Sequence, residues 1–371
     1  MNSTHTQLPP SGWSSRLSRG IGAVLLFELI SGLAVTFGPF HPVIEWGLIA
    51  HTALGILTVG PICWYFFLHW KTYRTQAMSD VLLLGYAGAC VLAICLLSGL
   101  IVTGQALFAV KTSAWLRYVH LVSTLLGLAA TLPHLTLAFW RRRHQEAVRA
   151  VAMWGATAAG GTIVMAGLLT VFTAAYSGTR YQNHFPADYR FAFGVNRPFA
   201  PSLANTSTNG AFDPRSIAGS ESCGESGCHT QIYNEWKVSA HRYAAMDPIF
   251  QGIQTEMARQ SGPESTRYCG GCHDPISLFS GTKNIFSANL TGLLGYNEGI
   301  SCLACHSIQK TDIQGNANYI VTQPKEYLWQ WSADHTLGAM ARNFLIRSWP
   351  AEHNRLERRL YKTPEYCAAC H

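Results

Sequence analysis

Five long apolar runs dominate the first half of the chain, at about residues 20–38, 46–69, 81–104, 115–140 and 150–175. Each run is long enough to cross a bilayer as a helix, which takes about 20 residues. The connections between the runs are short, so neighbouring helices are expected to be antiparallel. The pattern predicts an all-α membrane bundle of about five transmembrane helices over residues 20–176, preceded by a polar segment at residues 1–19.

The pattern changes after about residue 176, where apolar periodicity fades and Ser, Asn, Gly, Pro and charged residues become frequent. Residues 177–220 are predicted to be a linker. Residues 221–371 are predicted to form a second, loop-rich and mainly α domain around cysteine pairs. The pairs follow one another at irregular spacing, which excludes a solenoid of fixed repeat. Because the chain stops at the last residue of such a motif, His371, we expect the natural protein to continue beyond it.

Composition supports a location in lipid for part of the chain, because only 13% of the 371 residues are charged and 48% are hydrophobic. Soluble proteins have about 25% charged residues. The net charge of +7 does not indicate a nucleic-acid partner, since the basic residues stand in short clusters beside the apolar runs. Membrane lipid is the expected partner of these runs.

The basic clusters also predict the orientation of the bundle. Arg16 and Arg19 precede the first run, Lys71 and Arg74 follow the second, and an arginine cluster at 141–149 follows the fourth. All three clusters fall on one side, which the positive-inside rule assigns to the cytoplasm. The prediction is a multi-pass protein of a bacterial inner membrane, with a cytoplasmic N-terminus and a periplasmic C-terminal domain.

Four cysteine pairs, each followed directly by a histidine, lie in the second half: Cys223–Cys228–His229, Cys269–Cys272–His273, Cys302–Cys305–His306 and Cys367–Cys370–His371. Two thiols at this spacing form thioethers to the vinyl groups of a haem, and the next histidine binds the iron. The alternatives are a zinc ribbon or a disulfide framework. Neither requires a histidine after every pair, so the pattern predicts four covalently attached c haems.

Each iron can take a second axial ligand. Four further histidines follow residue 176: His184, His241, His335 and His353. The equal numbers predict haems with two histidine ligands, which are low-spin and suited to electron transfer. For each of the four, a surface position is the alternative, and a methionine ligand is the alternative at Met246, Met257 or Met340.

Four histidines lie inside the apolar runs, His51 and His69 in the second and His120 and His134 in the fourth. His120 and His134 are fourteen positions apart, which is about 21 Å along a helix and brings them to nearly the same face. His51 and His69 are eighteen positions apart, which is about 27 Å, or five full turns. Each helix thus has one histidine near each membrane surface, on a common face.

Matched by depth, His51 pairs with His120 near the outer surface and His69 with His134 near the inner surface. Ionisable residues in lipid are costly and usually functional. We predict that each pair binds a non-covalent b haem. The unequal spacings leave a single b haem open, and a simple hydrogen bond to a neighbouring helix is the alternative for each histidine.

The membrane half resembles the diheme cytochrome b bundles that exchange electrons with quinones, as in formate dehydrogenases, hydrogenases and bc complexes. The spacing from His120 to His134 carries this resemblance. It departs from bc complexes in the longer spacing on the second helix, and from the formate dehydrogenase type because the first helix has no histidine.

The outer half resembles the multihaem cytochromes of the cytochrome c554 group. The resemblance rests on Cys223–His229 followed by Trp236 and His241, and on Gly299–His306, which has the sequence GISCLACH. A fusion of the two parts is similar to the quinone-linked cytochromes of the inner membrane in metal-respiring and anaerobic bacteria.

Together these features predict electron transfer between the quinone pool and a periplasmic electron carrier or further cytochromes, with quinone as the substrate. The predicted route runs between a quinone at the cytoplasmic side, the b haems and the c haems. The enzymatic class stays open, with quinol dehydrogenase activity as one possibility. The alternative is a multihaem oxidoreductase in which a five-coordinate c haem acts on a small nitrogen or sulfur compound.

Overall fold

The computed structural model describes residues 12–108, 112–142, 147–225, 228–282, 285–286, 289–333, 335–357 and 362–371. Residues 1–11 of the predicted N-terminal segment, and part of the arginine cluster at 141–149, lie outside the described residues. The first half consists of α1 (Arg16–Phe37), α2 (Pro42–Tyr73), α3 (Asp80–Leu107), α4 (Ala114–Arg142) and α5 (Ala147–Ala175). All five are long and apolar enough to cross a membrane, which confirms the predicted all-α membrane bundle.

Polar side chains mark the start of the first three membrane helices. The side chain of Ser15 accepts a hydrogen bond from the backbone N–H of Ser18 before α1, and His41 accepts one from Val43 before α2. Ser79 does the same for Leu82 before α3. Because the first N–H groups of a helix have no partner within it, these caps fix where each helix begins.

Within the bundle, α3 packs along α4, and α1 packs along both α2 and α5. Gly22 of α1 lies directly beneath the ring of Trp154 in α5, where a Cβ atom would overlap the ring. The Trp154 Nε1 donates to the carbonyl of Ser18 at 3.1 Å. The absence of a side chain at Gly22 therefore allows α1 and α5 to approach closely.

A segment from the C-terminal half, Tyr327–Trp349, belongs to the same compact unit as residues Met1–Gly178. The rings of Tyr327 and Trp349 pack against Phe40, with centroids 4.9 and 5.1 Å away. The backbone N–H of Leu328 donates to the buried carboxylate of Glu45 at 2.7 Å. The predicted domain 221–371 is therefore interrupted, because this segment buries its aromatic side chains on the membrane unit.

The second unit consists of Thr179–Glu326 and Pro350–His371. The short helices after the bundle are α6 (Ser220–Glu225), α7 (Thr230–Trp236), α8 (Ala240–Tyr243), α9 (Pro248–Ser261), α10 (Arg267–His273), α11 (Pro275–Ser280), α12 (Leu294–Glu298), α13 (Cys302–His306), α14 (Leu337–Ser348), α15 (Ala351–Glu357) and α16 (Pro364–Cys367). Of these, α14 lies in the first unit. Within the described residues, 3-10 turns run over Pro214–Ile217, Pro263–Thr266 and Leu290–Gly292.

A small sheet joins distant parts of the second unit. Its strands are β1 (Asn205–Thr206), β2 (Ile308–Thr311) and β3 (Tyr319–Val321), in the order β1-β3-β2. The pairing of β1 with β3 is parallel, with Thr206 opposite Val321, whereas β2 and β3 are antiparallel. The sheet therefore ties the stretch before the first cysteine pair to the region after the third.

The stretch 177–220, predicted to be a linker, contributes much of the core of the second unit. Phe199, Phe212 and Ile217 are at most 2% exposed and pack with Ile276 and Phe279. These apolar residues are isolated in a polar sequence, without the periodicity of a helix or strand. Sequence patterning therefore did not identify them as core residues.

Asp213 anchors this stretch electrostatically. Its carboxylate accepts hydrogen bonds from the Arg215 side chain at 2.6 Å and from the backbone N–H of Gln182 at 2.9 Å. Burial by itself raises the pKa of Asp213, but the hydrogen bonds from Arg215 and Gln182 outweigh it and lower this pKa below its ordinary value. The charged form of Asp213 is therefore part of the folded structure.

Candidate functional site

The four membrane histidines meet in two pairs. The rings of His51 and His120 have centroids 6.2 Å apart, with planes at 87°. Those of His69 and His134 are 6.1 Å apart, with planes at 71°. In each pair one ring comes from α2 and the other from α4. These are the two pairs expected from the depths of the histidines along the helices.

The separation within each pair fits a metal atom between the two rings. Two metal–nitrogen bonds of about 2 Å in line, plus about 1 Å from each nitrogen to its ring centre, separate the centres by about 6 Å. Neutral imidazole is a suitable ligand for iron. The donor set and its spacing therefore fit a haem iron held between two helices, and the assignment of the four histidines as ligands remains a prediction.

Three of these rings have an acceptor on Nδ1, the nitrogen that would point away from a metal. The Nδ1 of His120 donates to the carbonyl of Cys95 at 2.9 Å, and that of His134 to the carbonyl of Val81 at 2.8 Å. The Nδ1 of His51 lies 2.7 Å from a carboxylate oxygen of Glu28. Such partners fix the ring orientation and leave Nε2 as the ligand atom.

Glycines give the rings access to these acceptors. A Cβ atom at Gly85 would be 2.9 Å from the ring of His134, and one at Gly99 would be 2.9 Å from the ring of His120. Each glycine stands four residues after the residue whose carbonyl accepts the bond, one helical turn further along α3. A larger side chain there would block the histidine.

Gly85 and Gly99 are fourteen residues apart, as are His120 and His134 on the antiparallel neighbour α4. The acceptor residues Val81 and Cys95 repeat the same interval. The sequence indicated that Gly85 and Gly99 leave space for flat rings, but not that the carbonyl groups of Val81 and Cys95 accept from the histidines. The signal available in the sequence was the matched fourteen-residue interval on two successive apolar runs.

Two of the cysteine pairs of the second unit lie on short helical turns. Cys269–His273 forms the last five residues of α10, and Cys302–His306 forms the whole of α13. In a helical turn, cysteines three residues apart face the same side. This arrangement allows both sulfur atoms to reach one haem. Cys223 lies in α6, and α16 ends at Cys367.

Sulfur atoms from different motifs also approach one another. The thiol of Cys223 donates to Cys302, which lowers the pKa of Cys302 to about 7. The thiol of Cys370 donates to Cys272, and this bond together with burial raises the pKa of Cys370. In a chain with haem attached at these motifs, the same sulfur atoms would be thioethers. The contacts make the first motif a neighbour of the third, and the second a neighbour of the fourth.

The motif histidines His229 and His371 each face a second histidine. The rings of His229 and His353 are 5.9 Å apart and nearly parallel, at 9°. Those of His371 and His241 are 6.1 Å apart, at 49°. The separations match those of the membrane pairs and therefore also fit an iron between two imidazoles. These contacts single out His353 and His241 among the four spare histidines.

The remaining predicted ligands have other surroundings. The ring of His273 stacks on Phe250 at 4.1 Å, and its Nδ1 donates to the carbonyl of Ala244 at 3.1 Å. Within the described part of the second unit, His184 is exposed and is not brought against a motif histidine. His335 lies in the segment that belongs to the first unit, at a left-handed φ of 62°. As second ligands, His184 and His335 stay predictions.

The ring angles predict distinct electron paramagnetic resonance signals from the oxidised protein. When the planes of the two imidazoles are parallel, both rings interact with the same iron d orbital and separate its energy from that of a second d orbital. When the planes are crossed, each ring interacts with one of the two orbitals, and their energies stay nearly equal. We expect strongly anisotropic low-spin signals from the two membrane pairs, at 87° and 71°. A rhombic signal is expected from His229–His353, at 9°. Rhombic signals alone, measured on the full chain in detergent, would contradict crossed rings in the membrane.

Comparison with known families identifies part of the second unit. Residues 222–307 match the sequence model of the family described as cytochrome c554 and c-prime. This range includes the first three cysteine motifs and His241. No curated protein and no solved structure that was compared with the chain matches it. The chain thus combines five helices able to span a membrane with a cytochrome c554-like region that carries haem c.

Proposed function

We propose that the protein transfers electrons between the quinone pool and periplasmic redox partners across a bacterial inner membrane. The observation that carries the proposal is the common separation, 5.9–6.2 Å, of four histidine pairs. Two pairs lie inside the membrane bundle, at different depths, and two lie among the cysteine motifs. A haem bound at such a pair supplies a reversible one-electron carrier.

The residues of the chain act by holding and insulating these carriers. In the bundle, α2 and α4 would supply the two histidines that hold each iron, and α3 fixes the orientation of His120 and His134 through its carbonyl groups. An iron held by two histidines would have no position left for a substrate. Pairs of this kind therefore favour electron transfer rather than catalysis.

We place the quinone at the cytoplasmic end of the bundle. A carrier at the inner pair is needed only if quinone reacts far from the periplasmic c haems. The ring of His69 packs against Tyr65 and Tyr73, with centroids 5.6 and 4.7 Å away. The ion pair of Arg141 with Asp80, at 2.6 Å, lies beside Val81, the acceptor for His134. These polar groups support proton exchange between quinone and the cytoplasm.

The proposal is tested in proteoliposomes with a quinol inside and a membrane-impermeant acceptor outside. Moving one electron against the membrane potential costs about 2.3 kcal/mol per 100 mV. Turnover is therefore expected to slow as an inside-positive potential is imposed. A rate that does not depend on the potential would place the quinone on the outer side and leave the inner pair without a role.

A second candidate function is reduction or oxidation of a small nitrogen or sulfur compound at the second motif. It rests on His273, whose ring contact within the described residues is with Phe250 and not with another histidine. An iron bound only by His273 would have an open position. Binding of one carbon monoxide molecule per chain of the reduced protein would favour this function. No binding would leave electron transfer as the activity of all four motifs.

A further inference from the structure

One membrane histidine differs from its counterparts in the partner of its Nδ1. For His120 and His134 this partner is a backbone carbonyl, whereas for His51 it is the carboxylate of Glu28, at 2.7 Å. Glu28 lies in the middle of α1, within a membrane-spanning run, and its side chain is only 16% exposed. One histidine of the outer pair thus has a carboxyl group as its hydrogen-bond partner.

A carboxylate is not needed merely to hold the ring in place. The hydroxyl of Ser31 lies 3.0 Å from the same Nδ1 and donates its own hydrogen to the carbonyl of Phe27 at 2.7 Å. It is therefore a neutral acceptor for His51. An ionisable residue within a membrane helix costs about 2.5–3.5 kcal/mol at the bilayer centre. The other oxygen of Glu28 is buried and has no hydrogen-bond partner within the described residues, so the contact with His51 is the polar contact of this carboxyl group. A carboxyl group at this place exceeds what positioning requires and points to an electronic role at His51.

We infer that Glu28 is a positioning residue that lowers the reduction potential of the outer haem through His51. The inference rests on the proposed function, in which His51 and His120 hold that haem. With Nε2 on iron, Nδ1 carries the proton, and a carboxylate acceptor makes the imidazole a more basic ligand. The oxidised iron has one more positive charge than the reduced iron. A more basic ligand therefore stabilises the oxidised form, and the outer haem accepts an electron less readily.

The effect creates a difference between the two membrane sites. At the inner pair, the acceptor for His134 is a neutral carbonyl, which draws less positive charge from the ring. Glu28 thus makes an electron on the outer site less favourable than a neutral acceptor on His51 would.

The test is a redox titration of the b-type absorbance in the full chain, with and without Glu28→Gln. Glutamine has the same shape and can still accept from Nδ1, but it has no charge. We expect the ratio of reduced to oxidised haem to rise at least tenfold for one of the two b components. This corresponds to a rise of about 59 mV in its reduction potential, since one electron is transferred. The other b component should keep its potential. Ser31→Ala is the matched control, because it removes a neutral acceptor from the same nitrogen and should produce a much smaller shift.

The outcomes separate the inference from the proposed function. Wild-type protein without b-type absorbance would refute the proposed function. Two b components that keep their potentials in Glu28→Gln would overturn the inference alone. If Glu28→Gln does not retain the outer haem, Glu28→Asp provides the same test, because it keeps the charge but shortens the reach to Nδ1. A raised potential in that variant supports the inference, and an unchanged potential overturns it.

Discussion

Replacing His120 by alanine is expected to remove one of two non-covalent haems and to leave the other in place. The ring of His120 lies opposite His51, 6.2 Å away, so the variant loses half of the ligand set at the outer pair. The inner pair has its own ligands, His69 and His134, and should keep its haem. The measurement is the b-type absorbance of the reduced protein, calibrated by pyridine haemochrome, which should fall to half.

Double substitutions make this test specific for the pairing. His51→Ala combined with His120→Ala should lose no more haem than either single variant, because both ligands act on one iron. His120→Ala combined with His134→Ala should lose both haems. Such non-additivity is expected only for residues that act as a unit.

His41→Ala is the matched control, since His41 caps the start of α2 and belongs to neither pair. Its substitution should leave the b-type absorbance unchanged. If His51→Ala and His120→Ala each removed a different haem, so that the double variant lost both, the assignment of these two rings to one haem would be wrong.

Replacing both Cys367 and Cys370 by serine is expected to remove one of four covalent haems. This motif lies outside residues 222–307, so the family comparison does not include it. Without thiols no thioether can form, and the intact mass after haem extraction should fall from four haem masses above the polypeptide to three. Absorbance of c-type haem should fall by a quarter. A wild-type mass equal to the polypeptide plus zinc would instead favour the zinc ribbon.

The matched control is Cys63→Ser in α2, an exposed thiol that belongs to no motif. It should retain four covalent haems. Because Cys370 packs against the core of the second unit, the double serine variant is also expected to be less stable. If the Cys367→Ser/Cys370→Ser variant retained as many covalent haems as the wild type, the fourth motif would bind no haem.

The membrane helices and the motif positions could be predicted because their signals are local. A membrane helix needs an unbroken apolar run, and the five observed helices differ from the predicted runs by at most four residues at each end. Haem attachment chemistry needs two thiols and a histidine within a few residues. The histidine pairs in the bundle could also be anticipated, because regular helices convert sequence spacing into depth and angle.

The remaining features depend on contacts between residues that are far apart in sequence. Glu28 reaches His51 only because α1 packs on α2, and the carbonyl groups of Val81 and Cys95 accept from histidines of α4 only because α3 is its neighbour. Irregular chain has no period that converts spacing into position. For that reason the pairing of His229 with His353, the core residues within 177–220 and the return of Tyr327–Trp349 to the membrane unit were decided by tertiary packing, where distant apolar surfaces are buried together.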